Sequence, residues 1–192
     1  MKILKKLLGK LIRILYRFVY RFIPCQEKTI LFISFHGRGY SDNPMAIHQY
    51  LSKHSQYADY RCIYAIKNHK QKKLKIENAR IIEYFSIAYF FYLARSKYWI
   101  ANCKLPKYVL KKDSQVYLQT WHGTPLKKLA HDIEVPEGTT FYRSEMSVEE
   151  MRSTYDNDVS KYNYMISPSA FTTEVFQSAF AIERERLIET GY

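Results

Sequence analysis

The first segment of the chain has an apolar residue at every third or fourth position. This spacing places them on one stripe of an α-helix, which we predict over residues 2–23. The stripe contains Leu4, Leu8, Leu11, Leu15, Phe18 and Phe22. Basic residues interrupt the segment throughout, which argues against a membrane span of about 20 apolar residues and against a secretory signal. The pattern therefore predicts an amphipathic helix.

Beyond Pro24, which ends this helix, short apolar runs alternate with helical patterns. Strands are predicted at residues 29–35, 60–65, 80–84, 98–101, 115–120, 164–167 and 187–190. Helices are predicted from about Pro44 to about Ser52 with Asn43 or Asp42 as cap, over 86–95 with Ser86 as cap, over 148–155, and over 172–180 with Ser169 as cap. Such alternation is typical of an α/β layer structure with a mainly parallel sheet. We therefore expect a helix at 1–24 and a Rossmann-like domain at 25–192.

The charge of the chain is uneven. Its net value is +12, from 30 Lys and Arg against 18 Asp and Glu. Seven basic residues and no acid precede Pro24, and these are Lys2, Lys5, Lys6, Lys10, Arg13, Arg17 and Arg21. A cationic stripe beside an apolar one is typical of a helix in the lipid headgroup region, so we predict an anionic membrane surface as a partner. The alternative is a helix that packs on its own domain and keeps a solvated basic face.

Other classes of site find less support. Cys25, Cys62 and Cys103 form no CxxC pair, so neither a disulfide framework nor a zinc site is predicted, and a reducing cytoplasm fits. No HxxxH or similar pattern is present, and we expect no metal. The basic charge also suggests a nucleic-acid-binding protein, but no RNP, helix-turn-helix or zinc-finger pattern accompanies it. We therefore expect no nucleic-acid partner, and the oligomeric state stays open.

A turn with two glycines follows the first predicted strand. Open α/β sheets bind ligands beyond the carboxyl ends of their strands. Gly37 and Gly39 permit close backbone approach, and Arg38 offers a bidentate phosphate contact. A helix starting near Pro44 would add N–H groups that favour an anion. With His36, these residues are predicted to bind a substrate phosphate, and the alternative is an ordinary turn.

A second turn, after the strand at 115–120, presents His122. A histidine next to a glycine and just past a strand is expected to be exposed, and histidine titrates near neutral pH, so His122 is a candidate general base. Asp132 is the candidate to orient its imidazole. The alternative is a histidine that only hydrogen-bonds its own turn. Candidates for binding substrate or phosphate beside it are Trp121, Gly123, Thr124, Lys127 and Lys128.

Three segments and the last residues resemble a known family. Residues 119–129, QTWHGTPLKKL, resemble the signature of the CDP-glycerol:poly(glycerophosphate) glycerophosphotransferase family, which includes teichoic acid primases and polymerases. Residues 34–44, SFHGRGYSDNP, and 167–176, SPSAFTTEVF, resemble further family segments. Residues 190–192, TGY, resemble the start of a GYPRND motif.

The resemblance implies the Rossmann-like N-terminal domain of a GT-B fold and a peripheral enzyme at the cytoplasmic face of the cell membrane. It implies transfer of glycerol phosphate from CDP-glycerol to a lipid-linked acceptor in teichoic-acid-like polymer synthesis, with release of CMP and without a cofactor. The first domain would face the acceptor and the second would hold the nucleotide. His122 would be the general base on the acceptor hydroxyl.

The chain stops within the GYPRND-like motif. We therefore expect it to be the N-terminal portion of such an enzyme, cut before the nucleotide-binding domain and inactive alone. The alternative is a non-catalytic membrane- or acceptor-binding module, or an inactive truncated fragment. The sequence leaves open primase versus polymerase and glycerol versus ribitol.

Overall fold

The computed structural model describes residues 10–11, 14–70, 73–134 and 146–191. Within these residues a sheet of seven strands has the order β3-β2-β1-β4-β5-β6-β7. The strands are β1 (Gln26–Ile33), β2 (Arg61–Ile66), β3 (Ala79–Glu83), β4 (Ser96–Ala101), β5 (Val116–Gln119), β6 (Tyr164–Ser167) and β7 (Leu187–Glu189). Every neighbouring pair is parallel, which confirms the predicted α/β class with a mainly parallel sheet.

Helices connect the strands, as the alternating pattern predicts. In the first helix, α1, residues 10–11 and 14–19 are helical, and a turn over 20–22 replaces the predicted helix end at 23. The later helices are α2 (Asp42–Lys53), α3 (Ile87–Arg95), α4 (Val148–Val159) and α5 (Ala170–Phe180). Ser86 and Ser169 cap α3 and α5 as predicted, because each hydroxyl accepts a backbone N–H three residues on. The predicted cap of α2 by Asp42 or Asn43 is wrong, since the helix begins at Asp42 after Ser41.

The sheet is buried on both faces, which explains its nearly continuous apolar strands. Leu31 and Ile33 of β1 belong to a core cluster with α3 and α5, while Ile30 and Phe32 belong to a second cluster packed by α2. The first cluster contains the largest fully buried side chain, Trp99 of β4. Burial on two faces fixes each strand in register and holds the loops at its carboxyl end in place.

One face of α1 packs on the domain. Tyr16 is buried, its hydroxyl donates to the Leu110 carbonyl at 2.9 Å, and its ring lies 5.2 Å from that of Phe90 in α3. Tyr20 and Ile23 are partly buried against the same core. The predicted apolar stripe lies elsewhere on the segment and is exposed at Leu11, Leu15, Phe18 and Phe22. The residues that dock the helix are therefore not the residues of its stripe.

Candidate functional site

The sheet order sets the position of the site. The chain builds β1, β2 and β3 outward on one side, then crosses to β4 and builds β5, β6 and β7 outward on the other. The point between β1 and β4, where the order reverses, is where open α/β sheets form a ligand crevice. The loops that follow β1, β4 and β5 meet there, and they carry His36, Asn102 and His122.

His122 is exposed and has one fixed nitrogen. Its Nδ1 lies 2.5 Å from the backbone oxygen of Asn102. A carbonyl oxygen can only accept, so the hydrogen bond places the proton on Nδ1 and leaves the lone pair on Nε2. Asp132, the predicted orienting residue, instead accepts a hydrogen bond from Ser178 at 2.8 Å. The orienting group observed in the structure is therefore the Asn102 carbonyl, which a sequence pattern does not reveal.

Aromatic rings enclose two sides of this imidazole. Trp121 stacks on it with ring centroids 4.6 Å apart at 27°, and Phe35 meets it edge-on at 5.6 Å. Trp121 is itself buried against Phe180, with centroids 5.0 Å apart. Its backbone has φ 52°, in the left-handed region, and its N–H donates to Gln119 Oε1 at 3.0 Å. Trp121 thus shields one face of the His122 imidazole.

Asn102 joins the three loops. This fully buried side chain accepts the Phe35 N–H at 2.8 Å and donates to Asp42 Oδ2 at 2.6 Å. Asn43 in turn donates to the Thr120 carbonyl at 3.2 Å. The side chains that were predicted to cap α2 therefore tie the loops after β4 and β5 to the start of that helix. Such a network holds the carbonyl that orients His122.

The first turn is bent by its glycine as predicted. Gly37 has φ +80°, and its carbonyl accepts the Lys67 N–H at 2.7 Å. Phe35 and His36 are also left-handed, with φ 43° and 55°, and the His36 N–H points to Cys103 Sγ at 3.1 Å. Gly39 has open space around it and no positive φ, so only Gly37 has the close approach that the sequence predicts for both.

The other predicted residues lie around this edge with different surroundings. Lys128 forms an ion pair with Glu134 on the surface, so its ammonium group already has an anionic partner. Thr124 and Lys127 are exposed, Gly123 has φ +151°, and Arg38 is exposed in the first turn. Among the basic residues of the first segment, those that the structure describes are Lys10, Arg17 and Arg21, and all three are exposed. Lys2, Lys5, Lys6 and Arg13 lie outside the described residues.

A buried polar network supports the His122 turn from below. Gln119 donates to the Tyr162 hydroxyl at 3.2 Å, and that hydroxyl donates to Asp158 Oδ2 at 2.5 Å. The other oxygen of Asp158 accepts the Leu105 N–H at 3.0 Å. Since Gln119 also holds the Trp121 N–H, the network links α4 to the backbone next to His122. Burial raises the pKa of the Asp158 carboxyl to about 6, although these hydrogen bonds act in the opposite direction.

This raised pKa predicts a pH-dependent stability. The folded chain holds the Asp158 proton up to about pH 6, and the unfolded chain holds it only to about pH 3.8. The contribution of Asp158 to the free energy of unfolding therefore falls as the pH rises through this window and is constant on either side of it. At about 1.36 kcal/mol per pKa unit, the difference of 2.2 corresponds to about 3 kcal/mol. Urea unfolding of the wild type and Asp158→Asn at a series of pH values should show a smaller fall for the variant. Equal pH profiles would contradict the assignment.

These features define a Rossmann-like α/β domain with an exposed histidine at the carboxyl ends of its strands, whose Nε2 makes no hydrogen bond to another residue that the structure describes. Residues 14–192 match the model of the family described as CDP-Glycerol:Poly(glycerophosphate) glycerophosphotransferase. The chain belongs to this family, as the resemblance in residues 119–129 indicates.

Two curated relatives illustrate the match. The chain is 38% identical over 173 residues to the teichoic acid poly(glycerol phosphate) polymerase of Bacillus spizizenii, covering 88% of this chain and 42% of that protein. It is 35% identical over 165 residues to the teichoic acid glycerol-phosphate transferase of Staphylococcus aureus, covering 85% of this chain and 40% of that protein. The chain thus spans about two fifths of the length of these relatives.

Solved structures agree in fold. The chain superimposes with a TM-score of 0.86 and 33% identity on a structure of the wall teichoic acid polymerase TagF, covering 96% of this chain and 43% of that one. A TagF variant soaked with CDPG gives a TM-score of 0.85 at 34% identity, over 94% of this chain and 42% of that one. These matches confirm the predicted fold class, a Rossmann-like domain of the GT-B type.

Three residues of the site were not predicted. Asn102 and Lys104 follow β4, and Lys67 follows β2, so all three lie at the same sheet edge as His36 and His122. The signal was available, because polar residues directly after buried parallel strands are placed at the ligand edge. The sequence-based prediction covers only the two turns that contain glycine.

Proposed function

We propose that the protein transfers glycerol phosphate from CDP-glycerol to a lipid-linked acceptor, with His122 as the general base. The observation that carries this proposal is the Nδ1–Asn102 hydrogen bond, because it leaves an exposed nitrogen lone pair at the ligand edge of the sheet. Family membership and the named activities of the relatives support the substrate class.

The proposed step balances without a cofactor. The acceptor hydroxyl oxygen attacks the phosphorus that carries the glycerol of CDP-glycerol, and its proton moves to Nε2 of His122. The bond between that phosphorus and the bridging oxygen breaks, and the electron pair leaves with CMP. A hydroxyl is a poor nucleophile until its proton is removed, so a positioned base accelerates the reaction. The proton on His122 is then lost to solvent.

In this proposal the chain supplies the acceptor side of the enzyme. The nucleotide would be held mainly by a second domain, which fits a chain that matches about two fifths of its relatives. We expect the isolated chain to release no CMP. The test is therefore a chimera in which residues 29–191 replace the matching segment of the Bacillus spizizenii polymerase. CMP release and acceptor lengthening are measured, and a folded chimera that binds CDP-glycerol without transfer would refute the proposal.

We further propose that α1 holds the protein on an anionic membrane surface at the cytoplasmic face. Tyr16 fixes the helix on the domain, while Phe18 and Phe22 are 71% and 74% exposed. Ile87 of α3 is 78% exposed. Together with α1 it lines an apolar groove of about 260 Å³. Arg17 and Arg21 are exposed on the same segment and supply the charge that such a surface attracts. No helix in the described part of the chain is long and apolar enough to span a bilayer.

The membrane proposal predicts a loss of vesicle binding in a variant that replaces two exposed apolar residues of α1 with acidic ones. Phe18→Glu combined with Phe22→Glu should weaken sedimentation with vesicles of anionic phospholipid by at least roughly tenfold, because two apolar anchors of about 1.5–3 kcal/mol each are removed. Phe171→Glu on α5 is the matched control, since Phe171 is 59% exposed on another helix. Unchanged binding by the double variant would show that α1 does not carry the interaction.

The second candidate function is a non-catalytic module that binds the membrane or the acceptor. The exposed stripe on α1 favours it, since membrane binding requires no chemistry. The two candidates differ in their dependence on His122. A module keeps all of its binding when His122 is replaced, and the chimera that carries it transfers no glycerol phosphate, with or without the imidazole.

A further inference from the structure

Four loops bring basic groups to the edge of the sheet that carries His122. Backbone contacts fix the arrangement, because the Lys67 N–H donates to the Gly37 carbonyl at 2.7 Å and the His36 N–H meets Cys103 Sγ at 3.1 Å. Lys104 follows Cys103 directly. The loops after β1, β2, β4 and β5 therefore present His36, Lys67, Lys104 and His122 along one edge of the sheet.

Among the described residues, the groups with the largest electrostatic effect on the His36 imidazole are basic side chains. These groups are Arg38 on its own turn, Lys67 after β2, Lys104 after β4 and His122 after β5. Burial and these cations lower the pKa of His36. The neighbouring Tyr84 ring at the end of β3 adds no charge, and Lys67 Nζ lies 5.0 Å from its centroid. Arg38, Lys67 and Lys104 bring positive charge to this edge of the sheet, and the one carboxylate named as acting on Lys104 is that of Asp158, so the net charge here favours an anion.

Lys104 is held in place rather than free to rotate in solvent. Its Nζ lies 3.4 Å from the ring centroid of Tyr155 and donates to Thr154 Oγ1 at 3.1 Å. Burial lowers the pKa of this lysine, and Asp158 acts against that shift. A partly desolvated ammonium group gains more from an anionic ligand than an exposed one does.

We propose that His36, Lys67 and Lys104 form a binding site for the phosphate group of the acceptor. This inference rests on the proposed function, in which His122 takes the proton of an acceptor hydroxyl. A glycerol phosphate unit carries its free hydroxyl and its phosphate on the same three-carbon skeleton. With the hydroxyl at His122, the phosphate of that unit reaches the neighbouring basic group, so the site fixes the last unit of the acceptor with its hydroxyl toward the base.

The ligand chemistry gives a titration that a merely structural role would not produce. A bound phosphate raises the pKa of His36, so the imidazole takes up a proton when the ligand binds. The experiment follows the histidine ring resonances of the chain by NMR during titration with glycerol phosphate at several pH values. His54, which is exposed and stacks on Tyr50 after α2, is the internal reference.

We expect the His36 resonance to move and its pKa to rise with ligand. Lys67→Gln and Lys104→Gln should each weaken binding by roughly tenfold or more. Lys161→Gln is the matched control: burial also lowers the pKa of Lys161 and Asp158 also faces it, but it does not act on His36. Lys67 is exposed, so its variant keeps the test valid if Lys104→Gln fails to fold.

Two results would overturn the site. One is a His36 resonance that moves no further than that of His54. The other is binding of CDP-glycerol, but not of glycerol phosphate, that depends on Lys67 and Lys104, since the site would then serve the donor. His122→Gln separates this inference from the proposed function. It is measured in the transfer assay, where a loss of transfer reports on the base alone, so a site that fails in the NMR titration leaves the role of His122 as a base to that assay.

Discussion

Replacing His122 with glutamine is expected to lower the rate of glycerol phosphate transfer by about 10²–10⁴, the usual contribution of a positioned base. Glutamine can still donate to the Asn102 carbonyl, which accepts from Nδ1 in the wild type. It cannot take a proton from the acceptor hydroxyl. The variant therefore removes the chemistry and keeps the contact, and it is measured as CMP release in the chimera that carries residues 29–191.

The matched control for this variant is His131→Gln. His131 pairs with Asp156 at 2.6 Å and is also a histidine of the same domain. The His131→Gln chimera should transfer glycerol phosphate at nearly the wild-type rate. The His122 variant should also unfold at nearly the wild-type temperature, because its side chain is exposed. A His122→Gln chimera with a rate close to that of the parent would contradict the general-base role.

The second large effect is expected for Gly37→Ala, which should destabilise the fold by about 2–5 kcal/mol. A Cβ at Gly37 would lie 2.7 Å from Tyr84 Cβ, and the backbone there has φ +80°. Left-handed backbone costs a residue with a side chain about 1–2 kcal/mol, and overpacking adds about 1–3 kcal/mol. For a chain of this size the melting temperature should fall by roughly 5–15 °C, measured by circular dichroism.

Gly39→Ala provides a matched comparison two residues away. A Cβ at Gly39 would meet no atom within 4 Å, and its φ is not positive. The variant should stay within about 1 kcal/mol of the wild type. Equal stability of the two alanine variants would show that the approach of Tyr84 to the turn does not constrain the fold.

Much of the fold could be predicted because its signals are local. Apolar runs with turn residues at both ends marked all seven strands, and serines before helical patterns marked the caps at Ser86 and Ser169. Strand order was out of reach, since the parallel pairs join residues far apart in the chain. The switch point between β1 and β4 therefore appeared only in the structure.

The candidate site was predicted less completely, for a physical reason. His122 was found because a histidine next to a glycine after a strand is a local pattern. Its orienting partner is a backbone carbonyl at Asn102, 20 positions earlier, and every residue has such a carbonyl. Asp132 lies only ten positions after His122, but its carboxylate accepts a hydrogen bond from Ser178, and sequence separation does not reveal this.

The pairing of β1 with β4 has a consequence for biosynthesis. Leu31 lies opposite Trp99, 68 positions later in the chain, and a protein leaves the ribosome from its first residue onward. The edge of β1 that pairs with β4 therefore stays unpaired while the intervening segment is translated. Non-local parallel pairs form slowly, so an apolar strand edge stays exposed during synthesis until β4 is available to cover it.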